Sequence, residues 1–262
     1  MFKIPLKSPE EIKVMAEGGE RLGKILLEIL GKIEPGLSTL EIDSWIDERI
    51  TKAGGVPSFK LVPRYHWASC VGVNDEVVHS IPRKDKILKK GDLLKIDLGM
   101  FFGGFHTDLS WTVRVGGDER DEVGSREFLG AGEKALAEAV KTCWLGNRVG
   151  HISQAIQAVI EGAGFHPVEV LTGHGIGRRL HEEPLIPGVL KSPLGETPLL
   201  KAGMTLAIEV IYSQGGGEVV LGNDGWTIFT KDGKMAGLFE KTIAVTESGP
   251  LILTPVQFSK RG

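Results

Sequence analysis

The sequence predicts an α+β protein of two pseudo-symmetric halves, each a pair of helices followed by strands, with antiparallel sheet inside and helices outside. Three observations carry this expectation. Two capped, apolar-periodic helices open the chain, the same helix–helix–strand order recurs in its second half, and in both halves a Gly-led strand ends in a single acid. At 262 residues the chain can bury a substantial core. It reads as one domain, 1–262, with the repeat covering about 8–115 and 119–250.

The elements follow in order. Ser8-Pro9-Glu10-Glu11 is a capping box with Pro at the first helical position, and Ile12, Met15, Leu22, Ile25, Leu26 and Ile29 recur behind it at helical spacing. Ser38-Thr39-Leu40-Glu41 is a second box, followed by Ile42, Trp45, Ile46 and Ile50 and stopped at Gly54-Gly55. In the second half one helix is expected from about Glu119 to Cys143 and another from about Ile152 to Glu161. His-x-x-Pro follows each helix pair, at His79–Pro82 and His181–Pro184. Then come the matching strands, Gly91 to Asp97 and Gly203 to Glu209. An extra Pro- and Gly-rich loop, Ile186 to Pro198, is expected at the surface.

Composition narrows the function. A net charge of −3 argues against a broad nucleic-acid surface. No apolar run approaches the ~20 residues that span a membrane, and the N-terminus carries no secretory pattern. Cys70 and Cys143 form no disulfide framework, so a reducing, cytoplasmic setting is expected.

The chemistry lies in single acids within apolar strands. Asp97 sits in K-I-D-L-G, Asp108 in H-T-D-L-S, Glu209 in T-L-A-I-E-V and Glu240 in G-L-F-E-K-T. Any one alone reads as a solvent-facing strand residue, but four in this setting do not. Phe101 to Phe105 reads as a hairpin turn, and if it centres on Phe102-Gly103 it sets Asp97 directly opposite Asp108. Opposed like charges are destabilising, more so when buried, and a bound cation resolves the conflict. His174 adds an imidazole from the glycine-rich run G-H-G-I-G, where backbone passes close to a neighbour. Four carboxylates and one imidazole suit two divalent ions, from Co²⁺, Mn²⁺, Fe²⁺ and Zn²⁺, rather than a closed structural zinc site.

V-N-D-E-V-V-H-S-I-P, K-I-D-L-G, F-H-T-D, G-H-G-I-G-R-R-L-H-E-E-P, G-M-T-L-A-I-E and F-E-K-T occur here in the order in which methionine aminopeptidases carry them, and the chain resembles that family along its whole length. About 31 residues separate Glu209 from Glu240, which resembles the type I form, without the long insertion of type II. The resemblance implies the pita-bread fold and removal of the N-terminal methionine from peptides and nascent proteins, with a small second residue favoured. It implies Asp97, Asp108, His174, Glu209 and Glu240 as metal ligands, with Asp108 and Glu240 bridging two ions. Glu209 would serve as general base and acid toward a bridging water, His181 would stabilise the scissile carbonyl oxygen, and His79 would bond the scissile amide nitrogen. Phe59, Tyr65, Cys70 and Trp226 would line the methionine pocket. The family also implies a monomer, with the ribosome as a partner of an enzyme acting on nascent chains.

The sequence departs from the family's pattern in three places. Lys60 to Trp67 replaces a glycine-containing loop, Ser80 stands where Gly is usual, and Val210 where Pro is usual. A stiffer loop is expected to narrow the mouth at the second residue. Two other readings are an Xaa-Pro peptidase, which shares the fold and usually adds an N-terminal domain, and a non-catalytic binding module, which would lose ligands.

Overall fold

Both capping boxes form, and each starts a helix where the sequence places it. Glu11 N donates to Ser8 Oγ at 3.3 Å and Ser8 N donates to the Glu11 carboxylate at 2.8 Å, opening α1 (Pro9–Leu30). Ser38 and Glu41 repeat the exchange at α2 (Thr39–Lys52). The structure, a computed structural model, describes residues 4–116 and 123–257. The second helix pair is α3 (Val123–Lys141) and α4 (Val149–Gly162); the expected start of α3 at Glu119 lies outside the described residues. α4 begins a turn earlier than Ile152. Val149 N donates to Pro198 O at 2.9 Å and Gly150 N to Thr197 Oγ1 at 3.1 Å. The end of the extra loop therefore caps α4. That loop is exposed at Lys191, Ser192 and Pro193, but Ile186, Gly188 and Val189 are buried, which corrects the expectation of a wholly surface loop.

Thirteen strands are found among the described residues. In the first half β1 (Val56–Pro57) and β2 (Ser69–Val73) pair with successive stretches of one edge of β4 (Leu93–Phe102), β3 (Glu76–Val78) follows β2 in the chain, and β5 (Phe105–Arg114) pairs with the other edge of β4. In the second half β6 (His166–Pro167) and β7 (Thr172–Gly175) pair with one edge of β9 (Thr205–Ser213), β8 (Glu182–Pro187) extends from β7, and β12 (Ala236–Thr246) pairs with the other edge of β9. β10 (Val219–Leu221), β11 (Ile228–Thr230) and β3 make a small third sheet, and β13 (Gly249–Ile252) edges β12. All these pairings are antiparallel. α1 packs on β4 and β5, and α3 packs on β9 and β12.

Strand parity then decides what faces what. Leu94, Ile96, Leu98 and Met100 of β4 join the helix-facing core, as do Leu109 and Trp111 of β5. Leu206, Ile208, Val210 and Tyr212 of β9 and Phe239, Ile243 and Val245 of β12 do the same. With a side-chain period of two, Asp97, Asp108, Glu209 and Glu240 fall on the opposite face. Among the described residues no helix is long and apolar enough to cross a membrane.

One expectation fails at the β4–β5 turn. Phe102 pairs with Phe105, so the two central residues are Gly103 and Gly104, with φ of 58° and 89°. A two-residue hairpin turn that matches strand twist needs positive φ at both central positions, and adjacent glycines supply it. The register therefore shifts: Asp108 faces Gly99 and Asp97 faces Ser110, so the two aspartates are diagonal neighbours. Gly104→Ala should cost about 1–2 kcal/mol of stability through the left-handed backbone alone, because nothing crowds a Cβ there. An unchanged denaturant midpoint would contradict that turn.

Candidate metal centre and peptide cleft

Direct opposition of like charges does occur, in the second half: Glu209 of β9 and Glu240 of β12 face one another in register. His174 of β7 enters from the other edge of β9, opposite Ala207. Its Nδ1 lies 2.9 Å from Gly175 O. A carbonyl only accepts, so Nδ1 carries the proton and Nε2 presents a lone pair. That Nε2 lies 3.6 Å from Glu209 Oε1, too far for a hydrogen bond. Ligand atoms of Asp108, His174 and Glu240 all lie within 4.8 Å of one another.

Burial shapes the protonation of the cluster. It pushes the Asp97 carboxyl up to about 7. Asp108, Glu209 and Glu240 are raised as well, first by burial and then by one another and Asp97. His174 is held down at about 3, again chiefly by burial and next by His181, so it is neutral near pH 7. Asp97 Oδ1 and Glu240 Oε1 are buried without a hydrogen-bond partner. Buried carboxylate oxygens ordinarily find one, and in a site lined by four carboxylates a cation would supply it. The residues present thus fit a site for divalent metal.

The sequence reading missed two hydroxyls that hold the acids. Ser110 Oγ donates to Glu240 Oε2 at 3.1 Å. Thr242 Oγ1 accepts from Asp108 N at 2.9 Å and donates to Asp108 O at 2.8 Å. Each lies two residues after a candidate ligand on a strand, on the same face, and the period-two rule is the signal that finds them.

The cluster opens on a cleft of about 340 Å³ whose lining includes Asp97, Asp108, His174, Glu209, Glu240, His79 and His181. The same cleft brings together Phe59, Tyr65, Cys70 and Trp226. The Tyr65 and Trp226 rings meet edge to face at 5.1 Å, and Tyr65 Oη donates to Ser69 O at 2.8 Å. Val62 adds an apolar wall from the unusual loop, so that loop does touch the pocket. His79 has a φ of 54°, uncommon for a residue other than glycine, and the Ser80 hydroxyl beside it is buried without a partner. His79 and His181 are exposed to the cleft, and desolvation by its walls lowers both from the ordinary histidine range, His79 also through His181. The His181 ring stands edge-on to that of His174, centroids 4.4 Å apart.

Comparisons with known proteins agree with this geometry. The model of metallopeptidase family M24 matches residues 13–247. The chain is 40% identical over 253 residues to methionine aminopeptidase 1 of Bacillus subtilis (strain 168), covering 97% of this chain and 100% of that one. Among solved structures it is similar to methionine aminopeptidase from Thermotoga maritima, with a TM-score of 0.91, 37% identity, and 96% and 99% of the two chains covered. Prolidase from Pyrococcus furiosus, at 21% identity and a TM-score of 0.77 over 97% of this chain and 66% of that one, shares the fold alone. The chain belongs to metallopeptidase family M24. Within that family it groups with the type I methionine aminopeptidases, and it is a metalloaminopeptidase of the pita-bread fold.

Metal binding should depend on pH in one direction. Asp97 holds its proton below about 7, and that proton must leave before its oxygen can coordinate. Apparent affinity for Mn²⁺ or Co²⁺ should therefore fall as pH drops from 7.5 to 5.5, with protons released on binding. A chelator competition series at those pH values measures it, and a flat profile would contradict the protonated cluster.

Proposed function

We propose that this chain hydrolyses the peptide bond after an N-terminal methionine, in peptides and nascent polypeptides, with a small second residue favoured. The observation that carries the reading is one cleft in which an acid-rich cluster bearing an imidazole lies beside an apolar, aromatic pocket. Asp97, Asp108, His174, Glu209 and Glu240 would hold two divalent ions, Co²⁺, Mn²⁺, Fe²⁺ or Zn²⁺, with Asp108 and Glu240 bridging. When bound, such ions supply Lewis acidity that lowers the pKa of the attacking water and polarises the scissile carbonyl.

The chain's own groups do the rest. Glu209 takes the water's proton and passes it to the leaving amine. His181, neutral near pH 7, donates to the carbonyl oxygen as charge develops there. His79 holds the scissile amide nitrogen. Asp97 receives the substrate's free α-amino group, so a blocked amine loses its anchor. The methionine side chain lies among Phe59, Tyr65, Cys70 and Trp226, whose soft apolar walls suit a thioether. On this reading residues 1–262 act as one catalytic domain built of two repeats. We further place the protein in the cytoplasm, as a monomer meeting nascent chains at the ribosome. Cys70 and Cys143, both buried free thiols, suit a reducing compartment.

A peptide panel with each of the four metals tests the reading. Met-Gly-x and Met-Ala-x should be cleaved, acetyl-Met-Ala-x should not, and Met-Val-x should be slow if the loop that brings Val62 to the cleft narrows its mouth. Leucine in place of methionine should slow cleavage rather than abolish it, since one methylene discriminates by only about 1–3 kcal/mol. Preference for Ala-Pro-x over Met-Ala-x would instead favour an Xaa-Pro peptidase.

The bridging roles have their own test. Asp108→Asn or Glu240→Gln should lose at least one tightly bound ion together with nearly all activity. Wild-type metal stoichiometry and turnover in either variant would refute the two-ion reading.

A further inference from the structure

Neither the metal cluster nor the pocket accounts for the third glycine of G-H-G-I-G or for the first glutamate of H-E-E-P. Gly177 and Glu182 bracket the segment that carries His181. Residues 176–181 form neither helix nor strand, and the His181 side chain makes no hydrogen bond among the described residues. His181 is exposed to the cleft, and its ring is held by its edge-on contact with His174 and by the backbone on either side.

That backbone is tied at both ends. At the start, Ile176 N donates to Thr205 O at 3.0 Å and His106 N donates to Gly177 O at 2.7 Å. At the far end, Glu182 is 6% exposed; its Oε1 accepts from Arg179 N at 3.0 Å and its Oε2 is paired with Lys7 Nζ. Lys7 is itself 7% exposed, and its backbone N donates to Gly203 O at 2.7 Å. The lysine runs through a lane kept clear by two glycines. A Cβ on Gly177 would overlap the Lys7 side chain and lie 3.2 Å from Glu182 Oε1, and a Cβ on Gly203 would lie 2.7 Å from Lys7 O.

We infer that Lys7 is a positioning residue for His181, acting through its buried ion pair with Glu182. The inference rests on the proposed role of His181 at the scissile carbonyl. Removing one member of a buried pair leaves the other charge uncompensated. Glu182 then turns toward water and carries the adjacent His181 with it. A displacement of about 1 Å at a group of this kind can cost roughly 10²-fold in rate. The N-terminal segment thus reaches across the molecule, 175 residues along the chain, to align a group in the cleft.

The test measures kcat and KM on Met-Ala-x, metal content and thermal midpoint for the wild type, Lys7→Met, Lys7→Arg, Glu182→Gln, His181→Ala and the double variant Lys7→Met/His181→Ala. Lys7→Met should lower kcat by roughly 10- to 100-fold with KM within about twofold and metal content unchanged. Lys7→Arg should recover most of that loss. In the His181→Ala background, Lys7→Met should cost no further kcat, because it acts through the missing ring. Wild-type kcat in Lys7→Met would overturn the inference, and so would an equal loss in both backgrounds, which marks a general structural tie. If Lys7→Met does not fold, Glu182→Gln, which keeps an acceptor for Arg179 N, is read by the same criteria in both backgrounds. A wild type that does not cleave Met-Ala-x sinks the functional reading and this inference with it. Turnover by the wild type with an indifferent Lys7→Met sinks the inference alone.

Discussion

Four carboxylates share one buried site, and the rest of the structure is arranged around that electrostatic problem. Glu209 and Glu240 sit directly opposite across two strands, and Asp97 and Asp108 diagonally across two others. In a sheet such pairs repel, and burial multiplies the cost of leaving them charged. Protonation relieves the strain, as the upward shifts of all four show. Divalent metal relieves it while keeping the oxygens available as ligands. The helices contribute by packing one face of each half's sheet with apolar side chains, which leaves the acids only the other face to occupy.

Holding the acids in place falls to the join between the halves. β5 and β12 belong to different sheets, and side-chain hydroxyls stitch them together. Thr112 Oγ1 donates to Leu238 O at 2.7 Å and accepts from Leu238 N at 2.9 Å, and Thr242 does the same for Asp108. Ser110 completes the seam on Glu240. One hydroxyl can replace a missing partner strand for both an N–H and a C=O, so the seam satisfies buried backbone without a continuous ladder. Asp108 and Glu240 lie on this seam, which makes them the acids that both halves position. That is a structural reason for proposing them as the bridging pair.

Much of this was legible in the sequence because it is local. Capping boxes at Ser8 and Ser38 and apolar periodicity locate helices without knowledge of their neighbours, and isolated acids in apolar strands mark the cleft face. The β4–β5 turn was misread by one residue because either Phe102-Gly103 or Gly103-Gly104 could be its centre. Only the second supplies positive φ twice. That slip placed the expected direct opposition on the aspartates, which are diagonal neighbours, whereas the directly opposed acids are the glutamates of the other half. The hydroxyl seam and the Lys7–Glu182 pair stayed hidden for another reason. Both join residues more than a hundred positions apart, and no periodicity encodes such a contact.

The two halves also differ where the metal needs them to. At the repeat offset of about 112 residues, β4 aligns with β9 so that Lys95 matches Ala207 and Asp97 matches Glu209. Across the neighbouring strand, Ala207 faces His174, whereas Lys95 faces Gly72. Large and small have changed places between the halves. In the second half the small residue lies on the long strand, which leaves room for an imidazole whose Nε2 meets the carboxylates. In the first half the long strand carries the large residue, and the Lys95 ammonium turns to Asn74 O at 2.8 Å and Ala236 O at 3.2 Å. Burial lowers its pKa to about 7, and the glycine opposite gives its stem space. A duplicated scaffold with a histidine in each half would present a symmetric site. Exchanging bulk across one strand pair instead leaves a single imidazole on one side of the acid cluster.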